Sequence, residues 1–125
     1  MLKVIATDRA PAAIGPYSQA IQAGNLLFVS GQVPIVPAEG KVLATDITGQ
    51  AEQVMKNIGE ILHEAGITYT NVVKTTCFLA DMGDFAAFNA VYGAYFTGKP
   101  ARSCVAVKDL PLGVLCEVEV IASLE

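Results

Sequence analysis

Alternating polar and apolar residues in this chain of 125 residues predict a set of short β-strands. Gly24 and Asn25 separate two of them, and a two-residue link of this kind is typical of a tight hairpin because both residues tolerate positive φ. Pro11 and the pair Gly15-Pro16 interrupt the pattern earlier, so we expect a loop around them. The predicted strands lie at 3–6, 18–23, 26–32, 72–79, 101–107 and 115–122.

Apolar residues at helical spacing predict two helices. The first begins at a cap formed by Thr45 or Asp46 and ends before Gly66, and its apolar positions follow the i, i+4, i+7 rule. The second begins after the turn at 81–84 and carries an aromatic stripe that we interpret as core. The order β-β-β-α-β-α-β-β predicts a single α+β domain over residues 1–125, with both helices on one face of a mixed sheet.

The composition points to an oligomer. Apolar residues make up 53% of the chain and charged residues only 16%, against roughly 25% charged residues in a typical soluble domain. No uninterrupted apolar run approaches the roughly 20 residues that a membrane span needs, and the N-terminus lacks the apolar region of a signal peptide. We therefore expect a cytoplasmic protein that buries its apolar excess between subunits, on the sheet face that the helices leave open.

The composition also restricts the chemistry. Cys77, Cys104 and Cys116 are odd in number and widely spaced, and the single histidine, His63, falls off the apolar stripe of its helix. We therefore expect neither a metal ion nor another cofactor, and no catalytic histidine. A net charge of −4 and the lack of a basic run weigh against nucleic acid as the main partner.

Arg102 is the residue that fits its surroundings least, because it places a cation inside an otherwise apolar strand. An unpaired charge away from water costs several kcal/mol. One interpretation is a structural arginine that reaches solvent or pairs with a carboxylate of the chain, and Glu117 and Glu119, which share one face of the last strand, are the natural partners. The other is a fork that grips the carboxylate or phosphate of a ligand.

Other polar residues also stand out against an apolar background. Tyr17 follows a stiff loop and is either an aromatic plug or a phenol at a pocket rim, and Gly31 either marks a bulge or brings backbone close to a ligand. Asn89 lies on or beside the aromatic stripe, where its amide needs partners. Together with Ser30, Arg102, Cys104 and Glu117, these residues suit a small carboxylate ligand and water-mediated, hydrolytic chemistry.

Several motifs of the sequence match those of one known family. The match extends over nearly the whole chain, and the Pro-Ala-Arg-Ser block and the final strand with its two glutamates are its most specific parts. By these motifs the chain resembles the RidA family, also called YjgF or L-PSP. The matching segments lie at 13–20, 24–25, 30–34, 57–66, 72–76, 84–92, 100–105, 110–111 and 117–122.

The resemblance implies a chorismate-mutase-like fold assembled as a homotrimer, with clefts between subunits. It implies 2-iminobutanoate/2-iminopropanoate deaminase activity, the hydrolysis of reactive enamine and imine acids that pyridoxal-phosphate enzymes release, giving 2-oxo acids and ammonia. It assigns the substrate carboxylate to Arg102 and the positioning or activation of water to Glu117. The residues implied to line the pocket are Tyr17, Ser30, Gly31, Asn89 and Cys104.

Two features depart from the family pattern. The link at 96–100 is short, which bears on the shape of the cleft mouth, and Cys116 stands where an aliphatic residue is usual. Two other functions stay open at this point. One is a regulatory protein that binds an oxo acid or similar metabolite without turnover, and the other is an L-PSP-type endoribonuclease or translation inhibitor, against which the acidic composition weighs.

Overall fold

A computed structural model describes residues 2–125, which form a mixed sheet, two α-helices and a small separate hairpin. The strands are β1 (Leu2–Ile5), β2 (Ala20–Ala23), β3 (Leu26–Gln32), β4 (Ile35–Val36), β5 (Lys41–Val42), β6 (Val72–Leu79), β7 (Ala101–Ala106) and β8 (Cys116–Ser123), and the helices are α1 (Ile47–Glu64) and α2 (Phe85–Tyr95). The sheet order is β1-β2-β3-β8-β6-β7, with β6 and β7 parallel and the other neighbours antiparallel. The predicted α+β class is confirmed.

Helix α1 begins and ends at its sequence signals. The Asp46 carboxylate accepts a hydrogen bond of 2.9 Å from the Gly49 N–H and caps the first turn. Just beyond the helix, Gly66 has a φ of +79°, a left-handed conformation that glycine adopts without strain. Among residues 2–125, neither α1 nor any other helix is long and apolar enough to cross a membrane.

The two faces of the sheet differ in what covers them. On the inner face, the helices bury Val118 and Val120 of β8 together with Phe88 of α2. On the outer face, an apolar row crosses four neighbouring strands in register, and its members Val4 and Phe28 are 59% and 43% exposed. The apolar row consists of Val4, Ile21, Phe28 and Ile121. An apolar sheet face without helices on it is therefore present, as the composition predicted.

The hairpin of β4 and β5 was not predicted, because no strand pattern was recognised between residue 32 and the first helix. Strands of two residues are too short for alternation to be recognised. Asn57 of α1 holds this segment in place: it is 1% exposed, and its Nδ2 donates to the carbonyls of Val33 at 3.0 Å and Ile35 at 2.9 Å. The amide thus fixes the chain that leaves β3.

Replacing Asn57 with leucine tests this anchor. The variant keeps the branched shape of the side chain but leaves two carbonyls without their donor, and we expect it to lower the free energy of unfolding by about 1–3 kcal/mol. Urea denaturation measures the change. The control is Gln53→Ala, which removes the half-buried 2.9 Å bond that Gln53 donates to Asn57 Oδ1 but leaves the hairpin anchor intact. Equal losses in the two variants would contradict the anchoring role.

Candidate active site

An extra residue in β3 shapes the first part of the candidate site. Val29 pairs with Val120 and Gln32 with Val118, so Ser30 and Gly31 together occupy the space opposite one residue of β8. The bulge brings Gly31 against Glu117: a Cβ at Gly31 would lie only 2.9 Å from Glu117 Cδ. The two interpretations of Gly31 are therefore compatible, because the bulge itself creates the close approach.

Glu117 lies in a cavity of about 620 Å³ on the outer side of the sheet. Tyr17 stands at its rim, 53% exposed, at the end of the loop that contains Gly15. Ser30 lines the wall, and its hydroxyl donates to the Ser18 carbonyl at 2.6 Å, so its oxygen can still accept a hydrogen bond. We call this cavity the Glu117 pocket; its walls also include Ile14, Val33, Ile35, Pro111 and Leu112.

The Glu117 carboxylate is half-buried and has no partner in its own chain. Within residues 2–125 it accepts no hydrogen bond and pairs with no cation, since the ion pair found there joins Arg9 and Glu60. Burial, and secondly the charge of Glu119, raise the pKa of Glu117 above its ordinary value. A carboxylate with a raised pKa is better suited than an ordinary one to take a proton from water and to return it.

Arg102 lies on the other side of the molecule, in the edge strand β7. Its Nη1 donates to Asn89 Oδ1 at 2.6 Å, and its Cζ is 4.7 Å from the centre of the Tyr92 ring. In the described part of the chain no carboxylate lies within 4.0 Å of the guanidinium. It borders a second cavity of about 520 Å³, the Arg102 cleft, whose walls also include Lys99 and Pro100.

The strand register separates Arg102 from Glu117. Thr75 of β6 pairs with Arg102 on one side and with Val120 on the other, so these three side chains share the inner face. Glu117 and Glu119 alternate with Val120 and face outwards. The expectation that either glutamate meets Arg102 is therefore wrong for a single chain: β6 lies between their strands, and their side chains point to opposite faces.

Cys104 follows Arg102 on the same face and pairs in register with Cys77 of β6. Burial raises the pKa of the Cys104 thiol, and it raises that of Cys77 to about 12. Both are therefore thiols at neutral pH, and neither is an activated nucleophile.

His63 is exposed on α1 and borders neither the Glu117 pocket nor the Arg102 cleft. Across residues 2–125 no three His, Cys, Asp or Glu side chains are grouped to hold a metal ion.

Phe85 and Tyr92 also lie next to the guanidinium, and Thr75 holds Tyr92; these contacts were not predicted from the sequence. Arg102 Cζ lies 5.5 Å from the centre of the Phe85 ring as well as beside Tyr92, whose hydroxyl meets Thr75 Oγ1 at 2.7 Å. A signal was present in the sequence, because Phe85, Asn89 and Tyr92 are spaced i, i+4, i+7 on one helix face. The aromatic residues of that stripe were interpreted as core.

Comparison with known proteins places this architecture in a family. The family model described as Endoribonuclease L-PSP matches residues 7–124. The chain belongs to the L-PSP family. This family is the one that the sequence motifs resembled. A protein named Reactive Intermediate Deaminase A and a Rid-family protein of unknown function from Yersinia pestis are among those that this L-PSP chain matches.

Three relatives of this L-PSP chain illustrate the similarity. The chloroplastic Reactive Intermediate Deaminase A of Arabidopsis thaliana is 50% identical over 123 residues, which cover 98% of this chain and 66% of that protein. The 2-iminobutanoate/2-iminopropanoate deaminase of Mus musculus is 50% identical over 121 residues, covering 96% and 90%. The crystal structure of E. coli TdcF with bound serine has a TM-score of 0.92 at 42% identity, covering 97% and 98%.

In the single chain, where no cation among residues 2–125 faces the carboxylate, Glu117→Gln should raise the free energy of unfolding at neutral pH. The pKa of Glu117 is higher in the folded than in the unfolded chain, so folding is penalised once the pH rises through the folded value and the group is charged. Glutamine removes the penalty. We expect a higher thermal midpoint than wild type at pH 7, and a gain that disappears at pH values below the unfolded pKa of a glutamate, where wild type is protonated in both states.

The matched control is Glu119→Gln, which removes the like charge that raises the pKa of Glu117. Glu119→Gln should raise the thermal midpoint at pH 7 by part of the amount expected for Glu117→Gln, and it leaves the carboxylate of Glu117 in the pocket. Thermal scans of the three proteins across the pH range make the comparison. A Glu117→Gln variant that is less stable than wild type at pH 7 would show that the carboxylate has a stabilising partner.

Proposed function

We propose that this L-PSP family member hydrolyses reactive 2-imino acids, such as 2-iminobutanoate and 2-iminopropanoate, to 2-oxo acids and ammonia. We further propose that it does so as a homotrimer, in clefts between subunits. The names of the Arabidopsis and mouse relatives support the reaction class, and the bound serine of TdcF supports a small amino-acid-like ligand.

One observation supports the proposal. The chain contains a cation that can bind a carboxylate, Arg102, and a carboxylate that can take a proton from water, Glu117, but they lie on opposite faces of one sheet. The Arg102 cleft holds a cation without a carboxylate, and the Glu117 pocket holds a carboxylate without a cation. Glu117 shares the outer face with the apolar row, and Arg102 is on the edge strand β7. A neighbour whose edge packs on this outer face would bury the row and bring the two charges together, and a head-to-tail contact of this kind can close into a ring.

In the proposed reaction, Arg102 and Glu117 have different roles. Arg102 binds the substrate carboxylate through two N–H groups, and Glu117 of the adjacent subunit takes a proton from water as the oxygen bonds to the imine carbon. The proton then passes to nitrogen, which gives a carbinolamine. Glu117 takes the remaining hydroxyl proton and delivers it to nitrogen as the carbon–nitrogen bond breaks, so that ammonia leaves and the carbonyl of the 2-oxo acid forms. The remaining proposed site residues are Tyr17, Ser30, Gly31 and Cys104, which line the cleft, and Asn89, which holds Arg102.

A direct assay tests the reaction. 2-Iminobutanoate is generated in situ, and the release of 2-oxobutanoate and ammonia is timed with wild type, Arg102→Lys, Arg102→Ala and Glu117→Gln. Arg102→Lys keeps the charge but loses the fork, so we expect it to impair catalysis nearly as much as Arg102→Ala, by roughly 2–5 kcal/mol of transition-state binding. Glu117→Gln should lower turnover while calorimetry still detects 2-oxobutanoate binding, because Arg102 is intact.

The second candidate function is a regulatory protein that binds a 2-oxo acid or amino acid without turnover, and the serine-bound relative favours it over the endoribonuclease alternative. The same assay distinguishes the two. Binding of 2-oxobutanoate by wild type without any acceleration of imine hydrolysis would favour the regulatory protein. Hydrolysis by Glu117→Gln at the wild-type rate would remove Glu117 from the mechanism.

Mixing two inactive variants tests the shared cleft. If each cleft combines Arg102 of one subunit with Glu117 of the next, trimers assembled from equal amounts of Arg102→Ala and Glu117→Gln contain intact clefts at about one in four positions. We therefore expect co-expressed variants to regain about a quarter of wild-type activity. Sedimentation of the mixture at micromolar concentration should show three chains.

The control for this experiment pairs Glu117→Gln with the double variant Arg102→Ala/Glu117→Gln. This combination supplies arginine but no glutamate, so no cleft is intact. Activity that returns in the first mixture and not in the control supports the composite site. A first mixture as inactive as its parts, in trimers of demonstrated mixed composition, would place Arg102 and Glu117 in separate functions.

A further inference from the structure

The guanidinium of Arg102 lies against one stripe of α2. Phe85, Asn89 and Tyr92 follow one another at i, i+4 and i+7, and all three contact it: the Cζ atom is 5.5 Å from the centre of the Phe85 ring and 4.7 Å from that of Tyr92, and Nη1 donates to Asn89 Oδ1 at 2.6 Å. Both rings are within the range of about 6 Å at which a cation is attracted to an aromatic face.

The Tyr92 ring is itself held in place. It is 8% exposed, and its hydroxyl hydrogen-bonds to Thr75 Oγ1 at 2.7 Å, where Thr75 is fully buried in β6. Thr75 is also the residue that pairs with Arg102 across the two parallel strands. The strand next to the arginine therefore fixes the ring that supports the guanidinium, and burial raises the pKa of Tyr92, so the phenol is neutral at physiological pH.

These contacts hold the cation without neutralising it. A carboxylate partner would orient Arg102 equally well, but it would compete with a ligand carboxylate for the same N–H groups. Aromatic faces and one amide oxygen do not, since Asn89 accepts from only one of the five N–H donors of a guanidinium. Because a free arginine side chain loses rotamer entropy when it is fixed, fixing it beforehand removes part of the cost of binding.

We propose that Phe85, Asn89 and Tyr92, with Thr75 behind them, are positioning residues that pre-orient Arg102 for the carboxylate of the substrate. We call this group the arginine cradle. The inference rests on the proposed function for the identity of the ligand, but the cradle itself is a property of the folded chain. It assigns a role to the aromatic stripe of α2 beyond packing.

Binding of 2-oxobutanoate to Tyr92→Leu, Tyr92→Phe and Tyr95→Leu tests the cradle. Loss of the Tyr92 ring should weaken binding about 3- to 10-fold and raise KM by the same factor with little change in kcat, because Arg102 grips the carboxylate in both the ground and the transition state. Phenylalanine keeps the aromatic face and should restore affinity to within about twofold of wild type. Tyr95 is an aromatic residue of the same helix that bonds to Glu52 instead, so Tyr95→Leu should bind as wild type does.

Two further variants keep the test decisive if Tyr92→Leu does not fold. Phe85→Leu is at a half-buried position at the start of α2 and should weaken binding in the same direction, by a smaller factor. Two double-mutant cycles measure the contact without any ligand: one combines Phe85→Leu with Arg102→Met, and the other combines Tyr92→Phe with Arg102→Met. The free energy of unfolding of each variant is measured in urea at one protein concentration. The cradle predicts that Phe85→Leu costs less stability once Arg102 has been replaced, and that Tyr92→Phe, which keeps the ring, shows no such coupling.

The outcomes separate the cradle from the proposed function. Unchanged affinity and KM in folded Tyr92→Leu and Phe85→Leu, or an equal loss in Tyr95→Leu, would overturn the cradle even if the imine is hydrolysed. If wild type binds no 2-oxo acid, the proposed function fails and the cradle is decided by the unfolding cycle, in which purely additive costs would overturn it.

Discussion

A half-buried cation without a carboxylate partner is the constraint on which this structure depends. Arg102 is held by an amide and two aromatic faces, so its positive charge is positioned but not cancelled. Three features of the fold hold the guanidinium in this position. They are the stripe on α2, the buried hydroxyl of Thr75 and the parallel pairing of β6 with β7. A charge that stays unneutralised away from water is expensive, and the two aromatic faces and the amide oxygen offset part of that cost.

The sheet keeps the Arg102 guanidinium and the Glu117 carboxylate apart. Glu117 is separated from Arg102 by the strand β6 and by the alternation of side chains, and each charge faces a different cavity. Within residues 2–125, the fold therefore leaves the guanidinium without a carboxylate and the Glu117 carboxylate without a cation.

Much of this could be predicted from the sequence, and the failures have a common cause. Alternation and helical spacing are local signals, and they located the sheet strands and both helices correctly, while the structure decides for Asp46 over Thr45 as the cap. Arg102 and Glu117 were recognised because each places a charge in an apolar strand. Their mutual position was not predictable, because strand order depends on contacts between distant segments, and β6 lies between their two strands. The stripe of α2 was interpreted as core because packing and cation binding use the same residues.

The bulge in β3 is not needed to build the core, but it forms part of the wall of the Glu117 pocket. Val29 and Gln32 both face inwards on either side of it, so a strand with one residue fewer would alternate regularly and keep every buried side chain on its present face. What would vanish is the second of two consecutive residues on the wall of the Glu117 pocket. Loss of one residue here would therefore change the wall of the Glu117 pocket and leave the core as it is.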